Sequence, residues 1–450
     1  GQTLLLGLQH LLAMFAATVL VPLLVGDALC LGLSAESLAY LISTTLLVSG
    51  IGTLLQLLRY GIGRIFGIRL PIVLGSSFAF VTPAIGLIAL MIALGSAPAD
   101  QGPLEPIGIA LAGLFGALLV AGVLFILISF TGLRGRLARL FPPVVTGPVV
   151  LLIGLSLIPI AVKGVAGGWA AILDGLLGLC PATPPLLVGS LELLGLAVVV
   201  LAVILLLSVF TAVLKGFFKS LPILIGIIVG WILALFMGPS IVDLSPEGSE
   251  ARTDKNSLAV VRDAPWFQLP LPLPFGLPLD ALGAFNPGLI LTMLAVAIVA
   301  IVESIGDITA TAKVSGRDLK PGTYKPRLRR GLLADGLATL LAGLFGAGTP
   351  TTTFAENIGV VALTRVASRR VGVTAAVILI LLGLFPKFAA LLSSIPSPVL
   401  GGVMLVLFGM IAGSGVSILQ SVDLDYSARN LLIIAVSLVL GLGIPTVPEI

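Results

Sequence analysis

Glu303, Asp307, Asp335 and Glu356 each stand inside a run of residues so apolar that it reads as a membrane span. A charged side chain at the centre of a bilayer costs from roughly 3 to more than 10 kcal/mol, so a carboxyl group kept there faces a cavity, a partner or a substrate. The acids therefore mark a functional centre at membrane depth. Glu303 and Asp307 lie four residues apart in VESIGDITAT, on one face of a helix, and Gly306 between them admits close approach by another element. Two carboxylates within reach of each other do not both ionise cheaply, so at least one is expected to hold a proton near neutral pH, the requirement for proton coupling. Glu356 opens an apolar stretch, where a helix N-terminus favours the ionised form as an acceptor for ring N–H donors. Asp335 has no motif around it, and a neutral, hydrogen-bonded structural acid is its alternative reading. His10, the sole histidine, either assists a proton path or is a satisfied structural imidazole.

Two apolar segments that contain or adjoin these groups, near 70–92 and 350–366, are interrupted by short hydroxylated residues: Ser76, Ser77 and Phe78 in one, Thr351, Thr352, Thr353 and Phe354 in the other. This pattern suits extended chain entering a half-helix. Extended backbone is tolerated at that depth only where it is buried in protein or lines a cavity, because lipid cannot satisfy its peptide groups. Two half-helices with inward N-termini can receive a carbonyl oxygen or an anion. A flat, oxygen-rich heterocycle answers that description, with Phe78 and Phe354 either stacking on it or serving as packing.

The elements that must position these groups are membrane helices. With 58% hydrophobic and 10% charged residues and a mean hydropathy of +1.22, the 450 residues do not form an ordinary soluble domain, in which charged residues make up about a quarter. Eleven apolar runs, at 4–26, 37–58, 107–130, 144–162, 186–212, 221–238, 286–312, 328–346, 371–392, 397–414 and 428–444, have the length of about 20 residues that crosses a ~30 Å hydrocarbon core; the two interrupted segments make thirteen. Residues 4–25 read as a first span rather than a cleavable signal. Of the 24 Lys and Arg, 19 fall in one alternating set of loops, including Lys313–Arg330 and Arg365–Arg370. The positive-inside rule places that set, and the N-terminus, in the cytoplasm of a multi-pass cell-membrane protein, and the same placement accounts for the net charge of +4 without nucleic acid. Cys30 and Cys180 set no disulfide framework.

The long polar stretch 239–285 reads as an outer-side linker between two halves, 1–238 (spans 1–7) and 286–450 (spans 8–13). LGSSFAF (74–80) is echoed by PTTTFAE (350–356), and PVVTGPVVLLIG (143–154) by PVLGGVMLVLFG (398–409), in the same order. The first echo joins span three to span ten; the seven-span offset is odd, so the halves are expected to be inverted repeats with the substrate where their interrupted helices meet.

GLQHLLAMFAATVLVP (7–22), GSSFAF (75–80), ESIGD (303–307) and ENIGVVALTR (356–365) together resemble the nucleobase–ascorbate transporter (nucleobase:cation symporter-2) family of uracil and xanthine permeases, over nearly the whole chain. The last motif is the most specific, through Asn357, Gly359, Thr364 and Arg365. The resemblance implies an all-α membrane protein of fourteen spans in an inverted 7+7 repeat, thirteen of them recognisable, the gate domain being one span short. It further implies a core domain from spans 1–4 and 8–11, a gate domain from spans 5–7 and 12–13, elevator motion and homodimers through the gate. It assigns substrate binding to Glu303, Glu356, Phe78 and Ala355, and proton coupling to Asp307; the residue patterns add Phe354 and Ser77 to the first set and Glu303 and His10 to the second. No cofactor or metal is implied.

The base is read with two opposed signals. Uracil permeases commonly carry histidine where Asp307 stands, while xanthine and urate members usually carry glutamine at position 356. The reading leans to proton-coupled uracil import because residue 356 lies in the substrate-reading motif, with a xanthine or urate symporter as the alternative. A sulfate-permease-type anion carrier fits poorly with acids at the site. Asp307 and Asp335 fit an intramembrane aspartyl protease only loosely, since no GxGD is present, so an enzyme is not expected. A passive channel is the remaining transport reading.

Overall fold

The structure, a computed structural model, describes residues 2–27, 35–58, 65–93, 105–131, 142–165, 191–210, 221–237, 258–274, 287–317, 321–354, 356–364, 366–420, 422–423 and 427–444. In chain order the elements are α1 (Gln2–Asp27), α2 (Ala35–Leu57), β1 (Leu74–Ser76), a 3₁₀ turn at Phe78–Phe80, α3 (Val81–Ala93), α4 (Glu105–Phe130), α5 (Pro143–Val165), α6 (Leu191–Phe210), α7 (Pro222–Met237) and α8 (Leu258–Asp263). There follow α9 (Pro287–Val314), α10 (Pro321–Phe345), β2 (Thr351–Thr353), α11 (Glu356–Thr364), α12 (Arg369–Gly383), α13 (Pro386–Ser393), α14 (Ser397–Leu419) and α15 (Ala428–Gly443). Among the described residues six helices are long and apolar enough to cross a bilayer alone, and α6, α7 and α15 are shorter apolar helices. Most carry apolar residues all round rather than on one stripe, and side chains such as Leu206, Val209, Phe236 and Val439 point outward, as they do where the solvent is lipid.

The helices pack in two sets. α1, α2, α9 and α10 pack against the two strands, with α4, α12 and α13 packed outside those helices, while α5 and α14 pack along each other and gather α6, α7 and α15. Within each set, glycines let backbones touch: a Cβ on Gly122 of α4 would lie 2.7 Å from Leu340 N of α10, and one on Gly154 of α5 would lie 2.5 Å from Ala412 N of α14. Helix association in lipid rests on this close packing, since no hydrophobic effect drives it there.

The structure corrects the reading of 371–392 as one continuous span. The chain turns by 81° between α12 and α13. Pro386 at the start of α13 has no N–H to continue the helix, and the residue before a proline is pushed out of helical geometry: Phe385 sits at φ −110°, ψ 86°. The linker is also more than a tether in its described part. Residues 258–274 form α8 and an extended strap tied to the helix ends, with Gln268 N donating to Leu384 O, Leu273 N to Leu344 O, and Tyr40 Oη of α2 to Leu271 O. Lys387 donates to Arg262 O and Ala264 O and lies 4.9 Å from the Trp266 ring centroid. Cys30 and Cys180 lie outside the described residues.

Candidate functional site

The two interrupted segments meet. β1 and β2 pair antiparallel, with Leu74 opposite Thr353, Gly75 opposite Thr352 and Ser76 opposite Thr351. The ladder continues at both ends through Ser77 N to Pro350 O (2.9 Å) and Phe354 N to Val73 O (3.2 Å). Each strand thus satisfies the peptide groups that lipid would leave bare. Flanking helices hold the pair: Leu74 N donates to Thr53 Oγ1 of α2, and Ser76 Oγ donates to Thr18 O of α1. Because the strands run oppositely, the helices that follow, α3 after the 3₁₀ turn and α11 after Phe354, leave the ladder from opposite ends. At the centre, Gly75 is required by packing: any Cβ there would overlap the Phe354 ring.

Beside the ladder lies a cavity of about 210 Å³. That is below the roughly 300–1,000 Å³ typical of drug-sized ligand pockets, a size for a bare ring system rather than a nucleoside. Its near wall is Ser76, Ser77, Phe78, Thr352, Thr353 and Phe354, and Glu303 of α9 enters from the side. Phe78 is held edge-on by Phe408 of α14, at 5.8 Å between centroids and 83° between planes. A planar ligand here meets two aromatic rings, the Ser77 hydroxyl and one carboxyl group, the acceptor that ring N–H donors require.

Of the predicted site residues, the structure therefore brings together Ser77, Phe78, Glu303 and Phe354 at one cavity. Asp307 lies one turn farther along α9, half-buried, and does not line it. His10 is buried and away from the lining, where its Nδ1 donates to Asn357 Oδ1 at 2.8 Å and so ties α1 to α11. Ala355 and the Glu356 side chain lie outside the described residues, although Glu356 is the first residue of α11. Asp335 is fully buried behind the ladder, accepting from Gln56 Nε2 at 2.7 Å and from Thr353 Oγ1 at 3.4 Å. Gln56 also donates to Gly331 O and accepts from Ile68 N, so Asp335 anchors a polar brace between α2, α10 and β2, the structural reading of this acid.

The far wall was not foreseen: Val150 and Ile153 of α5 with Met410, Ile411 and Ser414 of α14. Apolar side chains at helical spacing carry no chemical signal. The signal that could have found them is the second echo, because 143–154 and 398–409 begin the two helices that supply this wall.

Set against known proteins, the whole chain, residues 1–450, matches the model of the Permease family. The chain belongs to that family, the nucleobase:cation symporter-2 transporters. The permease is 45% identical to the uric acid permease PucJ of Bacillus subtilis (strain 168) over 99% of its own length and 85% of the relative's. It is 41% identical to the xanthine permease of the same organism over 100% of its length and 87% of the relative's. In structure it is similar to the transmembrane domain of the cyanobacterial bicarbonate transporter BicA, with a TM-score of 0.60 at 16% identity over 100% and 97% of the two chains. At that identity the likeness is one of fold alone. The permease is thus a multi-pass membrane transporter of the nucleobase class and not an enzyme.

Proposed function

We propose that the permease imports an oxidised purine base of the xanthine or urate type together with a proton. The observation that carries this reading is that Glu303, the β1–β2 ladder, Phe78 and Phe354 line one cavity, in a chain whose similar relatives are named for uric acid and xanthine. Those names favour the purine alternative over uracil. In this reading Glu303 accepts from ring N–H groups, Glu356 at the head of α11 and the Ala355 backbone complete the polar edge, Phe78 and Phe354 hold the ring faces, and Ser77 reads a carbonyl. Asp307, one turn from Glu303, exchanges the coupled proton, and His10 supports the site by holding Asn357.

The antiparallel ladder and the two echoes support an inverted 7+7 repeat, and the two packing sets support a division into a core (α1–α4, α9–α13) and a gate (α5–α7, α14, α15). An elevator motion then carries the core, with base and proton, along a gate that dimerises through its own helices, the N-terminus lying in the cytoplasm. Thermal-shift measurements with uracil, xanthine, urate, guanine and ascorbate test the substrate class, since a ligand bound only by the folded protein raises its melting temperature. Xanthine or urate is expected to give the largest rise; a larger rise with uracil restores the pyrimidine reading.

A further inference from the structure

On the other face of α1 from the substrate site runs a second and larger cavity, about 450 Å³, walled by α1, α7, α12, α13 and the start of α14. α1 is two-faced. His10, Met14 and Thr18, at helical spacing, face Asn357 and β1, whereas Leu8, Leu12, Val19 and Leu23 face this cleft. Leu8 to Leu23 spans about 22 Å at 1.5 Å rise per residue, longer than the ~15 Å of one leaflet's hydrocarbon. Every lining residue is apolar, so water, which needs two or more polar partners in a buried site, finds none, and neither does a polar substrate. The cleft is continuous with the outer surface of the bundle: Ile228 and Ile232 line it and are also 45% and 42% exposed on α7.

We propose that an acyl chain of a bilayer phospholipid occupies this cleft and braces α1 against the substrate strands. The bilayer supplies the only fully apolar, flexible and elongated ligand present wherever the protein works. The chain fills the seam where α1 meets α7, between the two helix sets, so the same occupant packs against both. Through Thr18 and Asn357, the position of α1 fixes β1 and the head of α11. Lipid occupancy and substrate affinity are thereby coupled.

Trp231 lines the cleft and serves as the probe. In protein carrying Trp169→Phe and Trp266→Phe, reconstituted with phosphatidylcholine brominated on its acyl chains, Trp231 fluorescence is expected to be quenched at lower brominated fractions than in a control that adds Trp231→Phe and Phe236→Trp. Phe236, 84% exposed on the same helix, reports bulk lipid. Filling the cleft from either wall, with Val19→Phe or independently Leu224→Phe, is expected to bring Trp231 quenching down to the control curve. Delipidated wild-type protein in detergent should lose much of its purine-induced thermal shift and regain it on adding phosphatidylcholine. Coincident quenching curves for Trp231 and the control mean annular lipid only and overturn the proposal. So does preferential quenching by a brominated sterol, or quenching that neither cleft-filling variant reduces. The quenching arm does not depend on which base is carried, so it fails or stands apart from the purine reading.

Discussion

At the residue scale the cavity asks little of any group except Glu303, the one carboxyl described in its lining. Glu303→Gln keeps the shape and turns one acceptor oxygen into a donor that meets ring N–H head on. Substrate affinity is expected to fall by about 10- to 100-fold, the roughly 1.5–3 kcal/mol of hydrogen bonds to a charged group; competition of labelled xanthine uptake measures it, and unchanged affinity would remove Glu303 from the site. Gly75→Ala tests packing rather than charge. Its methyl group must displace the Phe354 ring and press on Thr18 Oγ1, 2.6 Å away, so purine-induced stabilisation should be lost and the melting temperature without ligand should fall as well. Asp335 behaves differently from both. Asp335→Leu takes the acceptor from the buried Thr353 Oγ1 and leaves Gln56 Nε2 with Gly331 O alone, a loss of about 1–3 kcal/mol for an unsatisfied buried group, and should lower the melting temperature without ligand; Asp335→Asn, which keeps an acceptor oxygen, should lose less.

At the element scale the strands are the unusual parts. Three residues each, they would be untenable in lipid singly; as a pair they satisfy each other's inward-facing backbone groups, and Thr53 Oγ1 accepts from the outward Leu74 N. The tight α4–α10 and α5–α14 contacts have a different task, holding each helix set rigid around them. Gly336 of α10 sits against Ile126 N of α4, where a Cβ would come within 3.0 Å. Gly336→Leu should therefore force the pair apart and cost about 1–3 kcal/mol, seen as a lower melting temperature with the α5–α14 set unaffected in hydrogen exchange.

For the whole molecule, transport has a direction and a driving force. If Asp307 and Glu303 exchange a proton with each transported base, uptake in cells should rise as external pH falls and collapse when a protonophore is added; uptake indifferent to both would leave a passive channel. Sidedness is checked on a background lacking Cys30 and Cys180. A membrane-impermeant maleimide is expected to label Asp263→Cys, at the end of α8, on intact cells, and Arg317→Cys, in the basic loop after α9, only after permeabilisation. The reverse pattern would invert the topology.

Much of this was legible in residues because lipid leaves so few options. Hydrocarbon tolerates neither bare backbone nor idle charge, so apolar length announces spans, serines and threonines within a span announce extended chain, and acids announce a cavity. The sequence by itself thus determined the membrane class, the family motifs and the two interrupted segments, and it singled out Glu303, Phe78 and Phe354, which line one cavity. Only the tertiary structure decided that the segments pair in one antiparallel register, that Asp335 braces them while Asp307 stands aside, that the chain turns at Pro386, and that Val150, Ile153, Met410, Ile411 and Ser414 close the far wall. The reason is that those facts depend on which apolar face meets which. Among helices greasy on every side, facing is set by the fit of small residues against backbones hundreds of positions away, and that fit leaves no local periodicity to read.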